Sequence, residues 1–173
     1  MPSEFYYPLT QPHELSEREK EDAMGAYLMM FASMATSLPF PVINLIAAVV
    51  YYYVNRKKSR FIHFNCLQSL LSQLPTTLVN WILLYWALQI FFFENYEIND
   101  YFYAYLGFSV LANLIYFVYS IVAAVRARKG VFMYFILFGP YAYQQVYSKK
   151  NILNYENENR QLEVEQKVNK PPV

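Results

Sequence analysis

The sequence predicts an all-α fold: a polytopic helical membrane bundle. It has two long transmembrane helices, a proline-broken N-terminal helix pair and a C-terminal interfacial segment. Four stretches hold no Asp, Glu, Lys or Arg, at residues 23–55, 61–93, 101–125 and 130–148. The composition is 56% hydrophobic and 20% aromatic. A soluble helix carries charges on its outer face, whereas roughly 20 mainly apolar residues cross a bilayer. The alternating ten-residue pattern of a membrane barrel is absent.

The chain divides into three parts by polarity. Residues 1–22 are predicted to form a polar N-terminal tail, residues 23–148 the membrane helical domain, and residues 149–173 a polar C-terminal tail that we expect to be disordered. Within the first part, Ser16 and Glu19 match a capping box, which predicts that a helix begins near residue 17.

The first charge-free stretch cannot form one straight helix, because Pro39 and Pro41 interrupt it. Helices over 24–37 and 42–54 would each reach only about 20 Å, short of a hydrocarbon core of roughly 30 Å. Two arrangements stay open at this point. One is a single kinked span with the N-terminus outside, and the other is a tight helical hairpin with the N-terminus inside. Basic residues just before the stretch favour the hairpin.

Residues 61–93 and 101–125 predict a transmembrane hairpin. Its connecting loop, 94–101, has no Lys or Arg, so we expect it outside the cell. The residues that anchor the other ends in the cytoplasm are Arg56, Lys57, Lys58, Arg60, Arg126, Arg128 and Lys129. Segment 130–148 has a short apolar run before a Gly-Pro pair and is predicted to be interfacial. These features predict a multi-pass protein of the bacterial cytoplasmic (inner) membrane with a cytoplasmic C-terminus.

Polar residues form one stripe on each long helix when placed at about 100° per residue. The stripe on the first helix consists of Asn65, Ser69, Ser72, Gln73, Thr76 and Asn80. The stripe on the second consists of Ser109, Asn113, Tyr116 and Ser120. In one interpretation the stripes, together the polar seam, face each other and hold the bundle by hydrogen bonds. In the other, they line a polar groove open to the cytoplasm, as in a small oligomeric channel or transporter.

The remaining residues offer little for catalysis. His63 and Cys66 stand three residues apart, but no carboxylate is near to orient the imidazole. Two His and one Cys are too few for a typical metal site. We therefore expect no enzyme activity, metal or cofactor. The net charge of +1 and the lack of a binding fold around residues 56–60 argue against nucleic acid. Expected partners are the lipid bilayer and other membrane protein subunits or further copies of the chain.

Residues 39–71, PFPVINLIAAVVYYYVNRKKSRFIHFNCLQSLL, resemble a family of small bacterial membrane proteins of unknown function. That family is distantly similar to the twenty-kilodalton subunit of the chloroplast inner-envelope import translocon. The resemblance covers roughly 24–140. It departs at Asn65, which stands where the family has a histidine. The matching residues are Pro39, Phe40, Asn44, Ser59, Arg60, Phe61, Phe64, Leu67, Gln68, Ser69, Ala127, Lys129 and Gly130.

The resemblance implies a small α-helical integral membrane protein, and the plant relative implies a role in protein transport. Too few spans for a usual transporter, and many tyrosines near the interfaces, favour a subunit over a stand-alone machine. The sequence thus predicts a non-enzymatic accessory or scaffold subunit of a larger membrane complex, with the small channel as the alternative.

Overall fold

The computed structural model describes residues 6–31, 41–92 and 98–149. Within them the helices are α1 (Glu17–Leu28), α2 (Pro41–Asn55), α3 (Arg60–Phe92), α4 (Asp100–Arg128) and α5 (Phe138–Tyr147). A short 3-10 turn, Met29–Phe31, follows α1. Helices α3 and α4 are long and apolar enough to cross a membrane. The predicted all-α fold with two long membrane helices is confirmed.

Helix α1 begins where its capping residues require. The Ser16 hydroxyl accepts a hydrogen bond from the Glu19 backbone N–H at 3.3 Å, and the Glu19 carboxylate accepts one from the Ser16 N–H at 2.9 Å. This capping box confirms the predicted start at residue 17. The helix therefore begins earlier than the expected 24–37 segment and ends at Leu28. The predicted break at Pro39 lies outside the described residues.

Helices α1 and α2 form a hairpin rather than one kinked span. The Lys58 ammonium, just after α2, lies 2.7 Å from the Asp22 carboxylate in α1. At the other end of the pair, Met30 and Asn44 line the same small cavity. Helix α1 therefore runs into the bundle and α2 runs back to the end where α3 begins and α4 finishes. We call this end, with its cluster of Lys and Arg, the basic end.

Helices α3 and α4 run antiparallel and bond directly to each other along the outer half of α3. The 33 residues of α3 span about 50 Å at the usual rise per residue, well beyond a hydrocarbon core of roughly 30 Å. Pro75 lies inside α3 without ending it. The outer half of α3 (residues 73–92) packs mainly on α4, for example through Trp86 and Phe102. Its apolar side chains are otherwise exposed, as expected in contact with lipid.

The inner half of α3 (residues 60–72) is surrounded by protein. The predicted interfacial segment packs here as an irregular strip, 131–137, followed by α5. Phe64 and Leu67 of α3 form a core with Ala142, Val146 and Tyr147. The N-terminal segment bonds to the edge of this core, since the Tyr7 N–H donates to the Tyr147 carbonyl at 3.0 Å.

Gly130 ends α4 in a conformation that suits glycine. Its φ is +72°, and its N–H donates to the Ala127 carbonyl at 2.9 Å. The Val131 N–H donates to the Arg126 carbonyl, which completes a Schellman motif. A Cβ at this glycine would lie 3.1 Å from the Pro12 Cα. The turn therefore sends the chain back across the basic end.

We expect Gly130→Ala to lower the free energy of unfolding by about 1–2 kcal/mol, because a side chain is strained at positive φ. Gly107→Ala is the matched control, since a Cβ at Gly107 in α4 meets no atom within 4 Å. It should leave stability unchanged or raise it by up to about 1 kcal/mol. Unfolding in mixed detergent micelles measures both. Equal effects of the two substitutions would contradict the role of the turn.

Candidate functional site

The polar seam is the candidate functional site, and the structure divides it into three zones along α3. The inner zone bonds to α1 and to the strip after α4. The outer zone bonds to α4. Between them lie buried polar groups around a small cavity. The two predicted stripes therefore meet each other over only part of their length.

Gln68 and Tyr27 form the centre of the inner zone. The Gln68 amide nitrogen donates to the Tyr27 hydroxyl at 2.8 Å and to the Met133 carbonyl at 2.9 Å. Its carbonyl oxygen accepts from the Phe135 N–H at 3.1 Å. The Tyr27 hydroxyl in turn donates to the Asn65 side-chain oxygen at 3.0 Å. One amide thus connects α3 with α1 and with the strip 131–137.

This network joins helices through neutral side chains, since its members are a glutamine, a tyrosine and an asparagine. The Ser69 hydroxyl donates to the Ala26 carbonyl in α1 at 2.7 Å. Alanines at positions 23 and 26 let the two helices approach closely, and both are buried. The inner zone therefore fixes α1 against α3.

Asn80 and Asn113 join α3 and α4 in the outer zone. Their side-chain amides exchange two hydrogen bonds, at 3.0 and 2.7 Å. The Tyr105 hydroxyl donates to the Val79 carbonyl at 3.1 Å and adds a third link. Such cross-helix bonds are each worth roughly 0.6–1.7 kcal/mol in a membrane. Among the described residues, this pair joins the two stripes through side-chain amides on both sides.

A cavity of about 90 Å³ lies between the two zones. Gln73 is 2% exposed, and neither its amide nitrogen nor its amide oxygen has a hydrogen-bond partner among the described residues. The Tyr116 and Ser120 hydroxyls are also buried and also have no hydrogen-bond partner among the described residues. The residues that line the cavity are Met30, Asn44, Gln73, Thr76, Thr77, Asn80, Asn113 and Tyr116.

The other seam residues bond within their own helix. The Ser72 hydroxyl donates to the Ser69 carbonyl, and the Thr76 hydroxyl donates to the Ser72 carbonyl. Ser109 donates to the Tyr105 carbonyl. The predicted seam included neither Gln68 nor Tyr27. The sequence contains no signal for Tyr27, which is a single tyrosine in an apolar stretch.

His63 and Cys66 lie among different neighbours. The His63 ring nitrogen Nε2 is 3.1 Å from the Tyr52 hydroxyl. Cys66 is a free, buried thiol within the apolar core beside α1. Among the described residues, no group of three His, Cys, Asp or Glu could hold a metal ion.

The basic residues predicted as topology anchors all lie at the basic end, and some of them also bind α1. Arg128 contacts the carboxylates of Glu17 and Glu21 at 2.6 and 3.2 Å. Lys58 pairs with Asp22, as described above. Of the others, the Arg56 and Arg60 guanidinium groups lie over tyrosine rings.

Two equally buried glutamines on α3 provide a test of this division. Gln68→Leu should lower the free energy of unfolding by about 2–4 kcal/mol, because it leaves the Phe135 N–H and other buried groups unpaired. Gln73→Leu removes no hydrogen bond to a described residue and should change stability by less than about 1 kcal/mol. Detergent titration of the purified protein measures both. A larger loss from Gln73→Leu would refute the assignment.

The comparisons with known proteins agree with this membrane architecture. A family model described as the magnetosome magnetite crystal formation protein family, MamF/MmsF, matches residues 19–140. The match includes α2, α3 and α4 in full. No curated protein and no solved structure matches the chain. The resemblance to a bacterial membrane family is thereby confirmed, whereas no comparison supports the likeness to the chloroplast translocon subunit. The chain belongs to the MamF/MmsF family of magnetosome membrane proteins.

Proposed function

We propose that the chain is a non-enzymatic integral membrane protein that acts as an accessory or scaffold subunit of a larger membrane assembly. The observation that carries the proposal is the contrast between its two surfaces. Inside, most polar groups of the seam are used to hold the bundle together. Outside, the membrane-facing helices present wide apolar faces to their surroundings. A protein of this construction supplies contact surface rather than chemistry.

Helix α2 provides the strongest support for lateral partners. It has 15 residues and reaches about 22 Å, so it cannot cross a hydrocarbon core of roughly 30 Å. Ile46, Val50 and Val54 form an apolar stripe along it and are 55–66% exposed. A short apolar helix at the side of a two-helix span is well placed to contact a neighbouring subunit.

The family description supplies the process in which we place this assembly. It names magnetite crystal formation in the magnetosome. For this chain we propose a supporting role in the membrane, and not a catalytic one, since neither His63 nor Cys66 has a catalytic partner among the residues that the structure describes. The cations of the basic end are proposed to face the cytoplasm together with the C-terminus. A cysteine at Ser59 in a Cys66→Ala background should then resist an impermeant thiol reagent in intact cells. A protein-transport role would rest on the translocon resemblance alone.

A photoreactive amino acid at Val50 tests the scaffold proposal in native membranes. We expect covalent adducts with another protein or a second copy, because this face is exposed in the bundle. The same group at Arg18, on the polar surface of α1, is the control and should give few such adducts. If Val50 gave no protein adduct, with or without a lipid adduct, and mild detergent released only monomers by native mass analysis, the proposal would fail.

A small channel is the second candidate, and the cavity beside Gln73 is the observation that favours it. In that case the purified protein should conduct small polar solutes or ions in liposomes. The triple substitution of Ser72, Gln73 and Asn80 by Leu should abolish this flux. A scaffold predicts no flux from the wild-type protein, so the same measurement separates the two candidates.

A further inference from the structure

The cations of the basic end have two kinds of neighbour. On the α1 side, Arg128 and Lys58 lie against carboxylates at 2.6–3.2 Å. In the turn between α2 and α3, which also holds Lys58, the side chains of Arg56 and Arg60 have no carboxylate partner among the described residues. The described carboxylates at this end are all engaged elsewhere: Glu14 with the Gln11 N–H, Glu17 and Glu21 with Arg128, Glu19 with Ser16, and Asp22 with Lys58.

Aromatic rings hold these two arginines in place. The Arg60 guanidinium carbon lies 3.5 Å from the centre of the Tyr7 ring. That of Arg56 lies 4.7 Å from the centre of the Tyr53 ring and 5.5 Å from that of Tyr52. Cation–π contacts of this kind fix a guanidinium without neutralising its charge. The Arg56 Nε is buried and has no hydrogen-bond partner among the described residues. Within the part of the chain that the structure describes, the corner therefore presents positive charge that aromatic contacts hold in place and no carboxylate neutralises.

An apolar surface leads directly to this corner. The exposed apolar stripe of α2 consists of Ile46, Val50, Tyr53 and Val54. The Arg56 guanidinium lies over the Tyr53 ring, at the end of this stripe. Helix α3 begins beside it at Arg60, with its positive N-terminal dipole end. Cations at one end of an apolar stripe match an amphiphile whose anionic group and hydrocarbon chain are adjacent.

We propose that the corner of Arg56 and Arg60 binds the phosphate of one anionic phospholipid, with an acyl chain along the α2 stripe. Guanidinium groups suit phosphate because they donate paired hydrogen bonds in a fixed geometry. Basic pockets on the cytoplasmic side of membrane proteins bind anionic headgroups in this way. We propose a lipid rather than a free phosphate ion because the apolar stripe offers a surface for an acyl chain.

The test uses the full chain in neutral detergent micelles, where no charged membrane surface contributes. Phosphatidylglycerol or phosphatidylcholine is added, and native mass spectrometry measures the lipid retained. We expect one phosphatidylglycerol to be retained preferentially. Arg56→Gln/Arg60→Gln should weaken its binding about tenfold or more. Arg126→Gln/Lys129→Gln makes the same charge change at exposed positions at the C-terminal end of α4 and should weaken it less than about threefold, because physiological salt screens distant charges.

Several results would overturn the proposal. Equal losses in the two double variants would reduce the site to general electrostatics, and equal retention of phosphatidylcholine would remove its selectivity. Inorganic phosphate that competes as well as the lipid would show a free-anion site. If the Gln variant does not fold, Arg56→Lys/Arg60→Lys decides the matter. It keeps the charge but loses the paired donors, so unchanged lipid retention by that variant would refute the site.

Discussion

The buried amide of Gln68 is the interaction on which the rest of the structure depends. It lies where α1, the inner half of α3 and the strip after α4 converge, and it bonds to a group on each neighbour. The irregular strip 131–137 has backbone groups that no helix satisfies, and in a dry interior such groups need partners. Gln68 pairs two of them, the Met133 carbonyl and the Phe135 N–H. The aromatic core at this end of the bundle can form because these backbone groups of the strip have hydrogen-bond partners.

The low polarity of the surroundings explains why the seam residues sort into three zones. Where a second element approaches closely, as α1 does at Ala26, short hydroxyls reach its backbone. Where α3 and α4 run side by side, two asparagines meet and satisfy each other. Between these points the helices leave a cavity, and the Gln73 amide has no hydrogen-bond partner among the described residues. The unpaired amide is a consequence of the change of partner along α3. It is also the observation that favours the second candidate function, a small channel.

Much of the architecture was predictable because it follows from local chemistry. Charge-free stretches identify the membrane helices, and a Ser and a Glu three residues apart identify the start of α1. The helical wheel correctly grouped the polar residues of α3 on one side, but it cannot show which neighbour covers that side. The Asn80–Asn113 contact followed from two matched stripes. The partners of Gln68 did not, because a tyrosine in α1 and two backbone groups of an irregular strip carry no periodic signal.

Charge at the basic end shows how one set of residues serves both topology and packing. The acidic residues of α1 face Arg128 and Lys58, so part of the positive charge that orients the membrane helices also holds α1 in place. These pairs are exposed and individually weak, so they position α1 more than they stabilise it. The buried network behind them supplies the stability. The described acids of α1 pair with Arg128 and Lys58 or cap the helix, whereas Arg56 and Arg60 lie over tyrosine rings. The cations without a described carboxylate partner therefore mark the corner that we propose for an anion.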